Sequence, residues 1–456
     1  MRTKQKSFFI FARCSCEPLM ITAMNWREYL AIHTCTAEEA IKAIRSGDHL
    51  VYSHAAACPS TINRVLIDHK EDYRDVSIFH MLYVGDAVHL APGVEKHFRL
   101  RSSFLNDVSR KAVEEGRADF YPCYFQQLPA MFDIKSFPVD VAVIQVTPPD
   151  NDGYCSFGVS VDYIKAACRN AHTIIAEMND RMPRTLGPEN KIAVTDLHYI
   201  VEASHPLPEV QKSTIGELEK KIAHHCSSLI DDGATLQIGI GAIPDAVLML
   251  LDDRKDLGIH TELFTPGIVD LVKKGVITGK RKTFHQEKII YTFLMGDRET
   301  YDFADNNPML EAYPVDYTNS PFNIAKNDKM IALNSCIEVD FNGQVAAESI
   351  GSYTYSGTGG QVDYVQGARL SKGGKSIMAL PSTAAGGTIS RIVPFLKQGA
   401  AVTTSRNDVD YIITEYGIAH LRGQSLRERA KQLIEIAHPD FREELERNYF
   451  ALFKRK

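Results

Sequence analysis

The sequence predicts an α/β fold made of two related open α/β domains with largely parallel sheets. Two observations support this prediction. Buried β-branched runs alternate with helical patterns along most of the 456 residues, as they do in strand–helix–strand units. The two halves of the chain also repeat one order of elements, which indicates a duplicated unit.

The individual strands and helices follow from hydrophobic periodicity. Short continuous apolar runs predict strands that are buried on both faces. These runs occupy residues 49–53, 141–146, 235–240, 329–335 and 376–380. Apolar residues at helical spacing predict helices, and they occur over residues 60–70, 214–232 and 243–253.

The internal repeat rests on three pairs of matched segments. Gly47 and Gly233 each open a strand, a turn of small residues, a proline and a helix. Two further pairs follow in the same order, at 78–90 with 258–271 and at 141–158 with 329–349. The offsets are about 186, 180 and 190 residues. The alternative is that any two α/β halves share such a pattern, but three ordered matches favour duplication.

The repeat also places the domain boundary. We expect an N-terminal domain over residues 24–205 and a C-terminal domain over residues 206–456, because the segment 203–212 is polar and contains proline. Residues 1–23 are basic, with an apolar stretch too short for a signal peptide. We interpret them as a poorly ordered extension or the product of a misassigned start codon.

Composition and charge exclude several classes of partner. The net charge of −6 gives no reason to expect a nucleic-acid or membrane-surface partner. No apolar run is long enough to span a membrane. The nine cysteines are scattered, which favours a reducing compartment and hence the cytoplasm over a disulfide framework or a zinc site. We expect no bound metal.

Glu262 is the first candidate for chemistry. It lies in the stretch GIHTELFTPG, among apolar residues and just before a Pro-Gly turn. In the first half, His80 matches His260, and Leu82 stands where Glu262 stands in the second half. The carboxylate is therefore an addition to a repeated scaffold. A compensated structural carboxylate is the alternative.

Glycine-rich turns form the second group of candidates. Residues 237–247, QIGIGAIPDAV, predict a strand, a glycine turn and a helix with a proline in its first turn. Such a helix N-terminus can bind a phosphate or a carboxylate. The pattern is GxGxxP, so it is a poor match for a dinucleotide fingerprint, and tight strand–helix packing alone is a further alternative.

Two more loops and one more carboxylate complete the candidates. Residues 355–368 include Gly360 in SGTGGQVDY, where backbone N–H groups can form an oxyanion hole. The small-residue segment 379–393 predicts another loop. Glu415, in TEYGIAHLRG, follows a predicted strand, although a salt-bridged structural role would explain it equally well. No nucleophile elbow or zinc-protease motif is present.

Four motifs in this order and spacing, GIGAIPDAV, HTELFTPG, SGTGGQVDY and TEYGIAHLRG, resemble the class I CoA-transferases of the acetyl-CoA hydrolase/transferase family. The resemblance runs from about residue 25 to the C-terminus and is nearest to the 4-hydroxybutyrate and butyryl-CoA:acetate CoA-transferases. It implies a homodimer that uses coenzyme A and acyl-CoA as substrates, with acetate or another short-chain carboxylate as partner and no tightly bound cofactor.

The resemblance also implies roles for particular residues. Glu262 matches the nucleophile that carries CoA as a glutamyl thioester, and Gly360 matches an oxyanion-hole glycine. Asn319 and Glu415 match further active-site positions. The implied CoA-binding residues are Gln237, Ile238, Gly239, Ile240, Gly241, Ile337, Gly360 and Gly387.

These residues permit a ping-pong transfer of CoA between two carboxylates. Hydrolysis of an acyl-CoA with the same glutamate is the near alternative. A CoA-binding protein without activity and an NAD-dependent oxidoreductase are distant alternatives. The segments 53–61 and 148–158 of the first half are candidates to close over the site and to exclude water.

Overall fold

The computed structural model of the protein describes residues 25–210 and 213–453. The prediction for residues 1–23 lies outside this part of the chain. Within it, no helix is both long and apolar enough to cross a membrane.

The first half forms a seven-stranded sheet in which all neighbouring strands are parallel. Its strand order is β4-β3-β2-β1-β5-β6-β7. In chain order the strands are β1 (His49–Tyr52), β2 (Val76–Phe79), β3 (Phe98–Ser102), β4 (Ala118–Phe120), β5 (Val141–Val146), β6 (Thr173–Asn179) and β7 (Tyr199–Ala203).

The second half forms a six-stranded sheet with the order β9-β8-β10-β11-β12-β13. All neighbours are parallel except the final hairpin. In chain order the strands are β8 (Thr235–Ile238), β9 (Gly258–Ile259), β10 (Met330–Ser335), β11 (Lys375–Ala379), β12 (Tyr411–Thr414) and β13 (Gly417–His420).

Helices connect and cover the strands. Those of the first half are α1 (Trp26–His33), α2 (Ala37–Ala40), α3 (Ser60–Asp68), α4 (Asp107–Glu114), α5 (Leu128–Asp133) and α6 (Ile164–Asn170). Those of the second half are α7 (Glu217–Ser227), α8 (Ala242–Met249), α9 (Pro266–Lys273), α10 (Arg298–Ala304), α11 (Val315–Thr318), α12 (Pro321–Ile324), α13 (Gln361–Leu370), α14 (Leu426–Glu435) and α15 (Pro439–Phe453).

The two sheets share one strand order, which accounts for the sequence repeat. The order β2-β1-β5-β6-β7 of the first half corresponds to β9-β8-β10-β11-β12 of the second. In each sheet the first strand is an interior strand, between β2 and β5 in the first half and between β9 and β10 in the second, as in a doubly wound sheet. The predicted α/β fold with largely parallel sheets is therefore confirmed. Each sheet lies within one of the segments 24–205 and 206–456, and the domain boundary itself stays a prediction.

The element bounds differ from the predicted ones near glycine. The strand expected over residues 235–240 ends at Ile238, because Gly241 has φ +121° and turns the chain into α8. The first N–H groups of α3 are bound by a side chain, unlike those of α8. The carboxylate of Glu177, near the end of β6, accepts hydrogen bonds from the N–H groups of Thr61 (2.9 Å) and Ile62 (3.1 Å). The N-terminus of α3 is thus capped by a buried side chain of its own half.

Backbone hydrogen bonds join the two halves. The segment after Phe157 runs beside the short strand Phe293–Leu294, with Leu294 N–H donating to Val159 O (2.8 Å) and Val161 N–H donating to Thr292 O (3.2 Å). One buried hydrophobic cluster also includes side chains from both halves. These contacts place first-half side chains beside the carboxyl ends of β8 and β10, where a doubly wound sheet offers a ligand site.

Candidate active site

A cavity of about 240 Å³ lies at the carboxyl ends of β8 and β10. Strand order reverses between these two strands, so their connections leave in opposite directions and open a crevice there. The second half contributes its floor, including Gln237, Glu262 and Gly360. The first half contributes one wall, which consists of His54, Met81, Leu82, Phe104 and Phe125.

Glu262 points its carboxylate into this cavity. It lies between β9 and the short strand Leu263–Phe264, and its backbone carbonyl accepts hydrogen bonds from the N–H groups of Thr292 (3.1 Å) and Phe293 (3.2 Å). These bonds fix the backbone at the cavity floor. The side chain itself is only half-buried, so a substrate in the cavity can reach it.

Two donors hold the Glu262 carboxylate. Asn319 Nδ2 donates to Oε2 at 2.6 Å, and the Gly360 N–H also hydrogen-bonds the carboxylate. Burial raises the pKa of Glu262 to about 7, and the charge of Asp162 adds to this effect, while the bonds from Asn319 and Gly360 oppose it. The arrangement keeps the Glu262 carboxylate near its point of ionisation at neutral pH.

Gly360 is the N-cap of α13 and leaves no room for a side chain. A Cβ at this position would lie closer than 3.0 Å to both Glu262 Oε2 and Asn319 Nδ2. The φ of −100° is ordinary for any residue, so the glycine is required by the close approach of the carboxylate and not by backbone conformation. The Gly360 N–H can therefore donate a hydrogen bond to an oxygen atom of the Glu262 side chain.

Asn319 is fully buried at the end of α11. Its own N–H donates to Val315 O at 2.8 Å, which fixes the backbone from which the side-chain amide reaches Glu262. Asn319 Oδ1 has no hydrogen-bond partner. The amide thus presents its NH₂ group to the carboxylate and an unpaired acceptor to the interior.

His260, the counterpart of His80 in the sequence repeat, makes structural contacts. It is fully buried, and its Nε2 lies 2.8 Å from Thr318 O. Burial lowers its pKa to about 3, so it stays neutral. The first-half counterpart His80 is also buried, with its Nε2 at 2.7 Å from Nε2 of His89.

The predicted CoA-binding residues divide into two groups. Gln237, Ile238, Gly239 and Ile240 line the cavity. Gly241 lines an adjoining cavity of about 350 Å³, which shares Ile240 with the first. The sequence-predicted residues Ile337, Gly387 and Glu415 line neither cavity.

Glu415 and its neighbours form a separate region. Glu415 accepts hydrogen bonds from Ser382 N–H (2.9 Å) and Ser382 Oγ (2.6 Å), the kind of structural bonding weighed against a catalytic role. Gly387 follows Gly386 in a loop where both have positive φ. Ile337 donates its N–H to Ala346 O at 2.8 Å. Their roles in binding stay predictions.

One polar residue from the first half, His54, reaches the cavity, and the sequence did not mark its pairing with the buried Asp162. His54 lines the cavity, and its Nδ1 lies 3.0 Å from Asp162 Oδ2, while its Nε2 is buried without a partner. His54 belongs to the predicted closing segment 53–61. The other such segment, 148–158, does not line the cavity.

Asp363 is a further residue beside Glu262 that the sequence analysis did not single out. It is 1% exposed and lies in the first turn of α13, three residues after Gly360. Its Oδ1 accepts a hydrogen bond from Gln126 Nε2 at 2.6 Å. An acidic residue in the first turn of a helix is common for electrostatic reasons, so its position in the SGTGGQVDY motif gave no distinct signal.

Comparison with known proteins identifies the family of this chain. Residues 22–210 match the acetyl-CoA hydrolase/transferase N-terminal domain, and residues 296–449 match the C-terminal domain of the same family. A 4-hydroxybutyrate coenzyme A transferase of Clostridium kluyveri is 53% identical over 92% of this chain and 98% of its own. A butyryl-CoA:acetate CoA-transferase of Anaerostipes caccae is 36% identical over 92% and 97%.

An acetyl-CoA hydrolase of Yarrowia lipolytica is more distant, at 27% identity over 73% of this chain and 71% of its own. Among solved structures, a 4-hydroxybutyrate CoA-transferase of Porphyromonas gingivalis superimposes with a TM-score of 0.82 at 45% identity, over 94% of this chain and 100% of that chain. The fold, the two domain matches and these identities agree: the chain belongs to the acetyl-CoA hydrolase/transferase family.

Proposed function

We propose that the protein is an acyl-CoA:carboxylate CoA-transferase that moves CoA between short-chain acids through a glutamyl-CoA thioester on Glu262. The observation that carries this proposal is the Glu262 carboxylate, held by Asn319 and Gly360 inside a mostly apolar cavity. The relatives named for CoA transfer at 53% and 36% identity support the same reaction class.

The reaction proceeds in balanced steps. An Oε atom of Glu262 attacks the thioester carbonyl of acyl-CoA, and the C–S bond breaks to give an acyl-glutamyl anhydride and CoA thiolate. The thiolate attacks the glutamyl carbonyl, and the first acid leaves as a carboxylate. The acceptor carboxylate then reverses these steps on the glutamyl thioester. No proton is gained or lost overall.

In each tetrahedral intermediate the oxygen of the attacked carbonyl carries a negative charge. This oxygen belongs to the Glu262 side chain or to the acyl group bonded to it. The donors already aimed at this carboxylate are Asn319 Nδ2 and the Gly360 N–H. Both are fixed before the reaction begins, so no reorganisation is needed as charge develops. A donor of this kind contributes about 3–4 kcal/mol to lowering the barrier.

The lining of the cavity favours transfer over hydrolysis. Leu263 and Phe293 flank Glu262, and Phe104 and Phe125 from the first half face it. Apolar walls keep water away from the anhydride and the thioester, both of which water would cleave. The family includes hydrolases, and an enzyme with the same glutamate but more water in the cavity would be one.

CoA itself is proposed to enter along the end of β8. Gln237, Ile238, Gly239 and Ile240 line the cavity on that side, and the N-terminus of α8 has no side-chain cap, so its N–H groups remain available to an anion. Acetate with butyryl-CoA or 4-hydroxybutyryl-CoA is the proposed substrate pair. A cytoplasmic homodimer is part of the same proposal.

The test is chemical trapping of the intermediate. Incubation with acyl-CoA alone, followed by borohydride, should inactivate the enzyme and convert Glu262 into an alcohol, detectable by mass spectrometry of its peptide. Addition of the acceptor acid before borohydride should protect the enzyme. Glu262→Gln should show neither labelling nor turnover, and full turnover by this variant would refute the proposal.

A further inference from the structure

The side chain of Asn319 links two carboxyl groups, that of Glu262 in the cavity and that of the buried Asp363. Asn319 Nδ2 donates to Glu262 Oε2 at 2.6 Å, and the same side chain also favours the charged form of Asp363. The charge of Glu262 acts directly on Asp363. Two carboxylates that interact in this way do not both ionise readily, so the pair holds one proton over a range of pH.

The hydrogen bonds indicate which carboxyl group holds that proton. Glu262 accepts from two donors, the Asn319 amide and the Gly360 N–H. Asp363 is almost fully buried. Its Oδ1 accepts from Gln126, and its Oδ2 has no hydrogen-bond partner in the part of the chain that the structure describes. An ionised oxygen that is buried and unpaired is costly. A proton on Asp363 Oδ2 removes this cost, and Asn319 Oδ1 is an unpaired acceptor in the same cluster.

Other charged groups do not change this assignment. Tyr364, the next residue in α13, interacts with both carboxyl groups but has a pKa raised well above its usual value by burial, so it stays neutral. Of the elements packed on α13, β11 carries Lys375, whose ammonium donates to Leu229 O and so is engaged elsewhere. Among the described residues, no lysine or arginine forms an ion pair with Asp363.

Resting on the function proposed above, we propose that Asp363 is a positioning residue for Glu262. It keeps a proton while Glu262 is ionised, so that the pair presents one negative charge, that of the nucleophile, to the anionic substrates. When Glu262 becomes an uncharged thioester, Asp363 loses part of this proton to solvent. The relevant pKa of Asp363 is raised to about 8, by burial first and by the charge of Glu262 second.

Proton release tests this directly, because formation of the thioester from acyl-CoA and ionised Glu262 releases none. The wild-type enzyme is mixed with acyl-CoA near pH 8 in weak buffer containing an indicator dye, and the thioester is measured by borohydride trapping. If loss of the neighbouring charge lowers the pKa of Asp363 by about one unit, about 0.4 proton per site is released. Asp363→Asn should form the thioester without this release.

The outcomes separate the two proposals. Thioester formation without proton release in the wild type would overturn the role of Asp363 and leave the proposed function intact. Failure to form the thioester would overturn the proposed function. Asp316→Asn is the control. Asp316 also has a raised pKa, but the charge of Glu262 is not among its causes, so this variant should release protons as the wild type does.

The pH profile of kcat/KM for acyl-CoA gives a second readout that a purely structural role would not move. In the wild type it should fall on the alkaline side as Asp363 ionises, by about tenfold for each unit above the pKa. Asp363→Asn should stay within about threefold of wild type near pH 7 and remove this fall. Gln126→Leu removes a donor that favours ionised Asp363, so the fall should move to higher pH. An unchanged alkaline limb in both variants would refute the proposal.

Discussion

Gly360→Ala would test the close approach between α13 and the nucleophile. The new Cβ would lie closer than 3.0 Å to Glu262 Oε2 and Asn319 Nδ2. The carboxylate and the amide must move, which breaks the hydrogen bonds that aim them. Because the φ of Gly360 suits alanine, the backbone is not strained and the fold should persist.

The size of the effect follows from the lost donors. Loss of one oxyanion donor reduces kcat by about 10²–10³-fold, and the displaced nucleophile adds to this loss. The cost to stability should be small, about 1 kcal/mol or less, as for other alanine substitutions at a helix N-cap. We therefore expect a large loss of kcat with a nearly unchanged thermal unfolding midpoint.

A matched control exists in α7. Gly216 is also an N-cap glycine with ordinary φ (−92°), and a Cβ there would meet only the flexible carboxylate of Glu219. Gly216→Ala should change stability as Gly360→Ala does, and leave kcat unchanged. The assay is steady-state transfer of CoA to acetate, together with thermal unfolding. A Gly360→Ala enzyme with kcat within about threefold of wild type would refute the reasoning, given the oxyanion-donor magnitude above.

Three further outcomes are expected. The kcat/KM for acyl-CoA should decrease as the pH is lowered below about 7, because the pKa of Glu262 is raised to about 7 and only the ionised carboxylate attacks. A kcat/KM that stays constant down to pH 5 would contradict this. A carboxyl pKa that is raised in the folded state means that the unfolded state binds fewer protons. The stability contributed by Glu262 is therefore lost as pH rises from its unfolded pKa to about 7, and the loss stays constant above that pH. Glu262→Gln should accordingly raise the thermal midpoint at pH 8 more than at pH 4, and equal shifts would argue against it. Leu263→Ser should admit water and raise the ratio of hydrolysis to transfer by about tenfold, roughly the effect of one lost apolar contact. Hydrolysis is measured as the release of free thiol in the absence of acceptor acid. Leu370→Ser, at an exposed position of α13, is the control.

The fold was accessible from the sequence because its signals are local. Continuous apolar runs marked the strands, and the repeat of glycine, strand and helix marked the two halves. The strand predicted over 235–240 ended early because of the positive φ of Gly241, and the helices predicted over 214–232 and 243–253 are shorter, at Glu217–Ser227 and Ala242–Met249. The conformation of Gly241 is not visible in hydrophobic periodicity.

The candidate site was accessible only in part. Glu262 stood out because its counterpart in the first half is Leu82, and Gly360 because it lies in a glycine-rich motif. His54 lines the cavity and Asp363 interacts with Glu262 through contacts between segments far apart in the chain. One sequence carries no local signal for such contacts, so a buried histidine or first-turn aspartate looks ordinary.

The capping of α3 by Glu177 has a consequence for stoichiometry. Two halves with the same strand order could in principle each hold an anion at the corresponding helix N-terminus. In the second half α8 has no side-chain cap and its N-cap Gly241 lines a cavity, whereas in the first half Glu177 already occupies the N–H groups of Thr61 and Ile62. We therefore expect one ligand site in each polypeptide, in the second half, with the first half as its wall, and each polypeptide should be labelled once.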